Sequence, residues 1–208
     1  MSIKVKQLFI FPVKSLRGIP VTSAKLSRQG LRYDRYWMLV KANGQFVTQR
    51  QLPQMVLIYT QLTQESLVLQ KSGMRDLVVP LDYWQDGLTP FTAKIWKDYC
   101  RVVDEGDKAS RWLTSALGSE TPLRLVRLLK NSQRPQSKPD LLGENTHTHF
   151  ADAAPYLICN QASLESLNQT LVDNQFDPVT MEHFRPNPII FLTSDLQDDI
   201  RLVMASHI

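Results

Sequence analysis

The sequence has little of what the most easily recognised site types require, beginning with cysteine. It contains two cysteines among 208 residues, Cys100 and Cys159, and no CxxC pair. Two cysteines cannot build a disulfide framework, and a zinc or iron–sulfur site needs closely spaced thiols. Each cysteine lies in or beside a predicted strand, where a buried thiol acts as a small hydrophobe. A reducing compartment, the cytoplasm, is therefore the expected location.

Long apolar runs and dense charge runs are also missing. No stretch approaches the roughly 20 apolar residues that span a bilayer. The N-terminal apolar run from Leu8 to Val13 is interrupted by Pro12. The formal net charge is +4, without a Lys/Arg run interleaved with aromatic residues. We therefore predict neither a membrane nor a nucleic-acid partner, and the mild basicity favours a small anionic ligand.

Many short β-strands are predicted, because segments rich in β-branched and aromatic residues alternate with turn residues. The pair Asn43-Gly44 predicts a tight hairpin, and Gly30 marks another turn. A strand count of this size with regular turns favours a barrel or a sandwich. The predicted strands are 3–11, 20–26, 35–41, 45–50, 56–62, 66–70, 76–81, 91–96, 100–103, 123–128 and 189–192.

Two helices are predicted by apolar residues at helical spacing. The first spans 107–117, with Asp107 as its N-cap and Gly118 at its end. The second begins at an Asn160 cap and runs to about Leu171.

The segment 130–149 between the helices is polar and is predicted to be a long loop. It contains His147 and His149, which have no third ligand at a recognisable spacing, so solvated histidines are expected and not a metal site. Further on, 185–188 is predicted to be extended because each of its prolines restricts the preceding residue.

A cationic turn at Lys14 and Ser15 is the first candidate site. The pair follows Pro12, which fixes the backbone, and Gly18 is expected to let N–H groups face a ligand. An ammonium group, a hydroxyl and backbone N–H groups suit the oxygens of a phosphate. A solvated β-turn with surface lysines explains the same residues, and the turn alone does not separate the two interpretations.

Arg35 is the second candidate, since its aromatic neighbours Tyr36 and Trp37 can hold its guanidinium rigid. Arginine is always charged and binds phosphate through two parallel N–H groups, so one interpretation is a phosphate or pterin contact. The other is a surface pair of Asp34 with Arg32, while the Arg35 stem lies over aromatic rings.

Two further pairs are candidates in the second half of the chain. Arg185 and Asn187 flank Pro186, so an extended backbone puts both side chains on one face, where they can bind the edge of a pterin. A connector whose arginine satisfies backbone carbonyls is the alternative. Asp152 is a lone carboxylate among small residues, and Ser163 opens a helix, where it can contact a phosphate or serve only the helix end.

A family resemblance is carried by three motifs in the same order. They are PVKSLRG, GLRYDRYWMLV and NGQFVTQRQLPQM; FTAKIWKD, RWLTSALG, RLVRL, FADAAPYLICNQASLESLN and HFRPNPII extend it to about residue 191. The chain resembles the MOSC family, the molybdenum-cofactor sulfurase C-terminal domain proteins. The similar branch has an N-terminal β-barrel region and includes YcbX-like bacterial proteins and the amidoxime-reducing components.

The resemblance implies a mainly β, α+β fold in two parts. An N-terminal β-barrel region is expected over 1–120, its first 35 or so residues contributing to the MOSC core. A partial MOSC domain, an incomplete barrel with two or three helices in the chain, is expected over 121–208.

The resemblance also implies a molybdenum-cofactor (molybdopterin) protein that reduces N-hydroxylated small molecules. Family residues matching Lys14, Ser15 and Arg35 help to bind the phosphate of the pterin cofactor, and an acidic residue and a serine stand near it at the points matching Asp152 and Ser163. Arg185 and Asn187 are assigned to the pterin by the same resemblance. Pyridoxal phosphate binding and a separate ferredoxin- or flavin-type electron donor belong to the same set of expectations.

The tail departs from the family pattern. In the family, a cysteine beyond the segment matching Arg185 and Asn187 supplies the thiolate that molybdenum favours. This sequence ends at Ile208 with no cysteine after Cys159. A truncated chain is therefore expected, with residues 193–208 lacking a strand partner on one side and mobile or irregular, and no metal ligand is predicted. Two alternatives follow: a module that binds or carries a pterin, phosphate or sulfur ligand without turnover, or an inactive remnant.

Overall fold

The computed structural model describes residues 3–27, 29–82, 89–129 and 132–192. Its strands are β1 Ile3–Ile10, β2 Ile19–Val21, β3 Leu26–Ser27, β4 Gly30–Leu31, β5 Trp37–Lys41, β6 Tyr59–Leu62, β7 Ser66–Gln70, β8 Leu77–Pro80, β9 Phe91–Ile95, β10 Asp98–Asp104, β11 Leu123–Leu128, β12 Cys159–Asn160 and β13 Pro188–Leu192. Its α-helices are α1 Asp107–Leu117, α2 Pro139–Leu142 and α3 Gln161–Asp173. The predicted mainly β, α+β fold with few helices is confirmed over these ranges.

Two compact units divide the chain. The first consists of Met1–Phe9, Pro20–Ala24 and Tyr156–Ile208, and the second of Ile10–Ile19 and Lys25–Pro155. The predicted division into 1–120 and 121–208 stays a prediction.

The second unit is built on an antiparallel sheet in the order β5-β11-β10-β9. Successive residues of a strand point to opposite faces, so a strand that is buried throughout needs a core on both sides. In β5, Trp37 and Leu39 join one apolar cluster with α1 and the sheet β6-β7-β8, while Met38 and Val40 join another that includes Phe150. Phe150 is fully buried and fixes the chain that follows β11 under this sheet.

Local signals predicted several turns and ends correctly. Gly44 has a φ of +79° and its N–H donates to the Lys41 carbonyl at 2.9 Å, which confirms the Asn43-Gly44 turn. Gly118 ends α1 in the left-handed conformation that glycine tolerates. Asn160 caps α3, where its side chain accepts from the N–H of Ala162 at 3.2 Å.

Other local predictions are wrong for identifiable reasons. Asp107 does not cap α1; the N-cap is Gly106, and the Asp107 carboxylate accepts from Arg124 instead. The predicted strand 56–62 starts only at Tyr59, because 53–57 is a 3₁₀ helix that begins at a proline. The predicted strand 45–50 is reduced to isolated bridges at Gln45 and Phe46.

The first unit contains a sheet in the order β12-β13-β1-β2, with α3 packed on β12 and β13. Strand β1 pairs antiparallel with β13, and β12 pairs parallel with β13. The predicted strand 189–192 is observed within β13, where Ile189 is buried and Phe191 is 48% exposed. The expectation about residues 193–208 lies outside the described residues. In the part of the chain that the structure describes, no helix has the length and apolar character to cross a membrane.

Candidate functional site

Lys14 is the centre of the candidate site in the second unit. Its backbone N–H donates to the Trp37 carbonyl at 2.8 Å, next to a parallel bridge between Val13 and Trp37, so the turn is bound to the edge of β5. The residue is only 5% exposed. A lysine this deeply buried must be paired, because an isolated ammonium group in an apolar environment is strongly disfavoured. The interpretation of Lys14 as an ordinary surface lysine is therefore wrong.

The Lys14 ammonium group has two partners from one segment of the chain. It donates to the Phe150 carbonyl at 3.1 Å and forms an ion pair with the Asp152 carboxylate. The Asp152 side chain is 67% exposed, so the pair joins a buried cation to a carboxylate open to solvent. Trp96 also donates its indole N–H to Asp152, at 3.0 Å. An ammonium group has three donors, and these two partners use two of them.

The surroundings of Lys14 disfavour its charged form. Burial lowers the pKa of Lys14 to about 8, against the raising effect of Asp152, and the positive charges of Arg134 and Arg35 lower it further. For Asp152, partial burial works to raise the pKa, but the ion pair with Lys14 and the Trp96 hydrogen bond hold it below its ordinary value. At neutral pH the pair is therefore largely ionised, and an added anion would stabilise the Lys14 ammonium.

Arg35 contributes a guanidinium to the same neighbourhood. Its Nη1 donates to both Asp34 carboxylate oxygens, at 2.8 and 2.7 Å, and its guanidinium lies 4.3 Å from the centre of the Phe11 ring. Asp34 is 3% exposed and also accepts from the Phe11 N–H at 2.8 Å. The predicted alternative, a surface pair of Asp34 with Arg32, is wrong, because Arg32 donates to Tyr33 instead.

Left-handed backbone conformations are frequent among the candidate residues. Outside glycine such conformations are uncommon, and they cluster at functional sites because the surrounding structure must enforce them. Ser15 has a φ of +68°, Arg35 of +50°, Trp96 of +52° and Arg185 of +55°. Ser15, Arg35 and Arg185 are predicted site residues, whereas Tyr33 and Gln175 have the same conformation without being candidates.

Gly18 has a different role from the predicted one. The positive φ of the turn is at Ser15, whereas a Cβ added to Gly18 would lie 2.4 Å from the Phe11 ring. Glycine is needed there because the ring that stacks on Arg35 also packs against the Gly18 backbone. The glycine therefore supports the Arg35 side of the site and does not present N–H groups by its own φ.

Arg134 is a residue of this region that sequence reasoning missed. It is 2% exposed, pairs with Asp98 at 2.8 Å and donates to the carbonyls of His149 and Ala151 at 3.1 and 2.6 Å. These carbonyls flank Phe150 and precede Asp152, the two partners of Lys14. Arg134 therefore fixes the segment that holds the Lys14 charge. No local pattern in the sequence marks it.

His149 is not solvated as predicted. The side chain is buried, with its ring centre 4.2 Å from that of Tyr36, and burial lowers the pKa of His149 to about 4. The imidazole is therefore neutral at physiological pH and acts as part of the packing around the site. Across the described residues, no three His, Cys, Asp or Glu side chains are grouped so that they could hold a metal ion.

The remaining predicted site residues belong to the first unit. Asn187 is 1% exposed, accepts from the Leu157 N–H at 3.2 Å and donates to the Phe9 carbonyl at 3.3 Å, so its amide ties β1 to the segment before β12. Arg185 is left-handed and not extended, so the alternation argument that placed it beside Asn187 fails. Ser163 is half-buried in the first turn of α3. A shared site of these residues with Lys14 stays a prediction.

Both cysteines are buried thiols, as expected. Cys100 is 4% exposed in β10 and Cys159 is 1% exposed in β12. Burial raises the pKa of both thiols above the ordinary value. Neither is activated as a thiolate, so both serve packing.

A family comparison matches residues 2–120 to the MOSC N-terminal beta barrel domain. The match covers more than half of the chain. The chain belongs to this family. This match agrees with the family that the sequence motifs resemble. The matched residues 2–120 include Lys14, Arg35 and Trp96.

Curated relatives of this MOSC chain extend the likeness over nearly all of it. Mitochondrial amidoxime-reducing component 1 of Homo sapiens is 35% identical, covering 89% of this chain and 55% of that protein. The Xenopus laevis protein of the same name is 32% identical over 95% of this chain and 60% of its own length, and component 2 of Bos taurus is 32% identical over 94% and 58%. The chain thus spans between 55% and 60% of these relatives.

Proposed function

We propose that this MOSC chain holds the phosphate-bearing end of a molybdenum cofactor at Lys14, Ser15 and Arg35, in a protein that reduces N-hydroxylated compounds. The observation that carries the proposal is the buried Lys14 ammonium, paired with an exposed carboxylate and followed by a left-handed Ser15. The names of the relatives, amidoxime-reducing components, support the reaction class.

The residues at Lys14 fit a phosphate monoester. The ligand needs several donors, and a buried lysine, a hydroxyl in a left-handed turn and a guanidinium are the types of donor that suit it. An anion here would remove part of the electrostatic cost of burying Lys14, because it favours the charged form whose pKa burial has lowered. The side chain of Arg35 is 12% exposed, so a phosphate beside it would meet little competing water.

Chemistry and binding are divided between ligand and protein in this proposal. The molybdenum cofactor, when bound, supplies the redox chemistry, and the protein supplies binding, orientation and electrostatics. Lys14 would donate to the phosphate, and Arg134 holds the segment of Phe150 and Asp152, the partners of Lys14, in place. Arg185, Asn187, Ser163 and Asp152 remain proposed contacts of the cofactor.

A separate ferredoxin- or flavin-type electron donor is part of the proposal for the whole protein, by analogy with the relatives. Pyridoxal phosphate binding has no support from the relatives and stays a prediction. The cytoplasmic location also stays a prediction, since the names of the relatives place those proteins in mitochondria.

A module that binds the organic cofactor without turnover is the second candidate. Its support is limited to Cys100 and Cys159, which are buried with a raised pKa and so offer no available thiolate of the kind that a soft metal prefers. Both candidates share the same phosphate site, so one binding experiment tests them together.

We expect a Lys14→Met variant, expressed in a host that makes the cofactor, to retain at least tenfold less pterin than the wild-type chain. A charge-assisted hydrogen bond is worth about 1.5–3 kcal/mol, which corresponds to a tenfold or larger change in affinity. The pterin is measured by fluorescence after oxidation of the purified protein. Because methionine replaces lysine at nearly equal length, the variant keeps the volume of the buried stem.

The matched control is Lys108→Met, which removes the same charge from an exposed position on α1. Its pterin content should equal that of the wild type. Wild-type pterin levels in the Lys14→Met protein, or no pterin in the wild-type protein, would refute the phosphate site.

A further inference from the structure

A groove bordered by Trp96 lies in the second unit and is not used by the proposed phosphate contacts. It has a volume of about 410 Å³ and is lined by Gln45, Phe46, Thr48, Arg50, Gln51, Lys94 and Trp96. Trp96 is 41% exposed and is one of the two aromatic residues that line the groove. None of the described lining residues carries a negative charge, and two carry a positive one.

The indole of Trp96 is held in place by backbone and side-chain contacts. Trp96 is in the two-residue connection between β9 and β10, since Ile95 pairs with Asp98. Its φ is +52°, a value that such hairpin connections normally reserve for glycine or asparagine. The indole N–H donates to Asp152 at 3.0 Å, and the Phe46 ring meets the indole edge-on at 4.9 Å between centres. An aromatic residue kept in this strained position is a rigid surface for stacking.

The two cations of the groove come from chain segments that are tied together. Lys94 belongs to β9, its N–H donates to the Gly44 carbonyl at 2.9 Å, and the Phe46 N–H donates back to the Lys94 carbonyl at 3.1 Å. The Arg50 guanidinium lies 5.8 Å from the centre of the Trp96 indole. A positive charge therefore stands beside the aromatic surface on a frame of backbone hydrogen bonds.

We propose that this groove binds a planar aromatic carboxylate, with its ring stacked on Trp96 and its carboxylate on Arg50 and Lys94. A guanidinium fork and an ammonium group match a carboxylate in charge and geometry, and the rigid indole supplies a flat surface at low entropic cost. The groove adjoins the Lys14 site, since the Lys14 ammonium lies 5.8 Å from the centre of the Phe46 ring and 5.9 Å from that of Trp96. The two sites can still be tested separately, because Arg50 and Lys94 are not among the proposed phosphate contacts.

Three probes of similar size separate ring stacking from charge recognition. They are 2-naphthoate, its uncharged amide 2-naphthamide, and decahydro-2-naphthoate, which keeps the charge but loses the aromatic ring. Calorimetry on the purified full chain should show 2-naphthoate binding about three- to tenfold more tightly than either comparison probe. Equal affinities for the three probes, or no saturable binding of 2-naphthoate, would overturn the proposal.

Variants assign each preference to its residue. Trp96→Gly should lose the preference for the aromatic ring and keep its fold, because glycine accepts a φ of +52° without strain. Trp96→Phe should retain that preference. Arg50→Gln should lose the preference of naphthoate over naphthamide, whereas Arg101→Gln, an exposed arginine on β10, should not. Unchanged preferences in both Trp96→Gly and Arg50→Gln would contradict the assignment.

Failure of this proposal is distinguishable from failure of the phosphate site. Arg50→Gln should leave the retained pterin at the wild-type level, since Arg50 is not among the proposed cofactor contacts. A phosphate site without an aryl carboxylate groove would show normal pterin loss on Lys14→Met and no naphthoate preference.

Discussion

Replacing Arg134 by methionine should lower the free energy of unfolding by about 3 kcal/mol, because it leaves the buried His149 carbonyl and the partly buried Asp98 and Ala151 acceptors without their donor. Arg134 is 2% exposed, and its loss removes the counter-ion of Asp98 and the donors to the His149 and Ala151 carbonyls. Buried acceptors that lose their donors cost more than the hydrogen bonds contributed. Chemical denaturation of the purified chain, monitored by circular dichroism, measures the loss.

The control for this change is Arg124→Met. Arg124 also pairs with two carboxylates, Asp104 and Asp107, but its side chain is 29% exposed and that of Asp107 is 72% exposed. Water screens such pairs, so a much smaller loss is expected. Arg134→Lys should fall between the wild type and Arg134→Met, because lysine keeps the charge but has all its donors on one nitrogen, whereas Arg134 uses Nε for Asp98 and Nη1 for the two carbonyls. Equal losses for Arg134→Met and Arg124→Met would contradict the role of Arg134.

The second large effect is a rise in stability with pH that depends on Lys14. The folded-state pKa of Lys14 is about 8, against an ordinary value of 10.5. Between these values the unfolded chain binds more protons than the folded chain, so stability increases with pH. The cost of folding with a charged Lys14 is fully present below the folded pKa and disappears above the unfolded one.

The lowered pKa of Lys14 corresponds to a gain of about 2 kcal/mol in the free energy of unfolding between a pH of about 7.5 and about 9.5, at 1.36 kcal/mol per pKa unit. Urea denaturation at these two pH values should show the wild-type chain gaining about this much relative to Lys14→Met. The comparison with Lys14→Met controls for the other titratable groups, because the tyrosines and the other lysines are the same in both proteins. Parallel pH profiles of the two proteins would mean that the Lys14 pKa is not lowered.

Features of the fold that depend on neighbouring residues could be predicted from the sequence. The Asn43-Gly44 turn and the Gly118 end of α1 require a positive φ, and glycine supplies it whatever surrounds the turn. The strands could also be predicted, because burial of one or both faces of a strand leaves a pattern of apolar residues in the sequence. The 3₁₀ helix at 53–57 was missed, since its apolar residues also fit a strand.

Features that depend on distant residues could not be predicted in the same way. Asp107 has the chemistry of an N-cap, but Arg124 on β11 attracts its carboxylate. Gly18 was expected to serve a turn, whereas the close approach of the Phe11 ring explains why glycine is needed there. Arg185 precedes a proline and was expected to be extended, yet its φ is +55°.

The candidate site also combines residues that the sequence marks with residues that only the tertiary structure reveals. Lys14, Ser15 and Arg35 were recognised by residue type and by resemblance to a family, but burial and pairing decide what Lys14 can do. Arg134 and Trp96 carry no local signal, because the first acts through carbonyls in a later segment and the second through a hydrogen bond to Asp152. Their roles follow only from the tertiary structure.

The most direct test of the phosphate site is the titration of Lys14 by NMR, with lysine labelled at Cε and the signal assigned by its absence in Lys14→Arg. The free protein should give a pKa of about 8. Saturation with the phosphate ester of 6-hydroxymethylpterin should raise this value clearly, because an anion next to the ammonium favours its charged form. A pKa near 10.5 in the free protein, or one that the pterin phosphate leaves unchanged, would contradict a phosphate at Lys14.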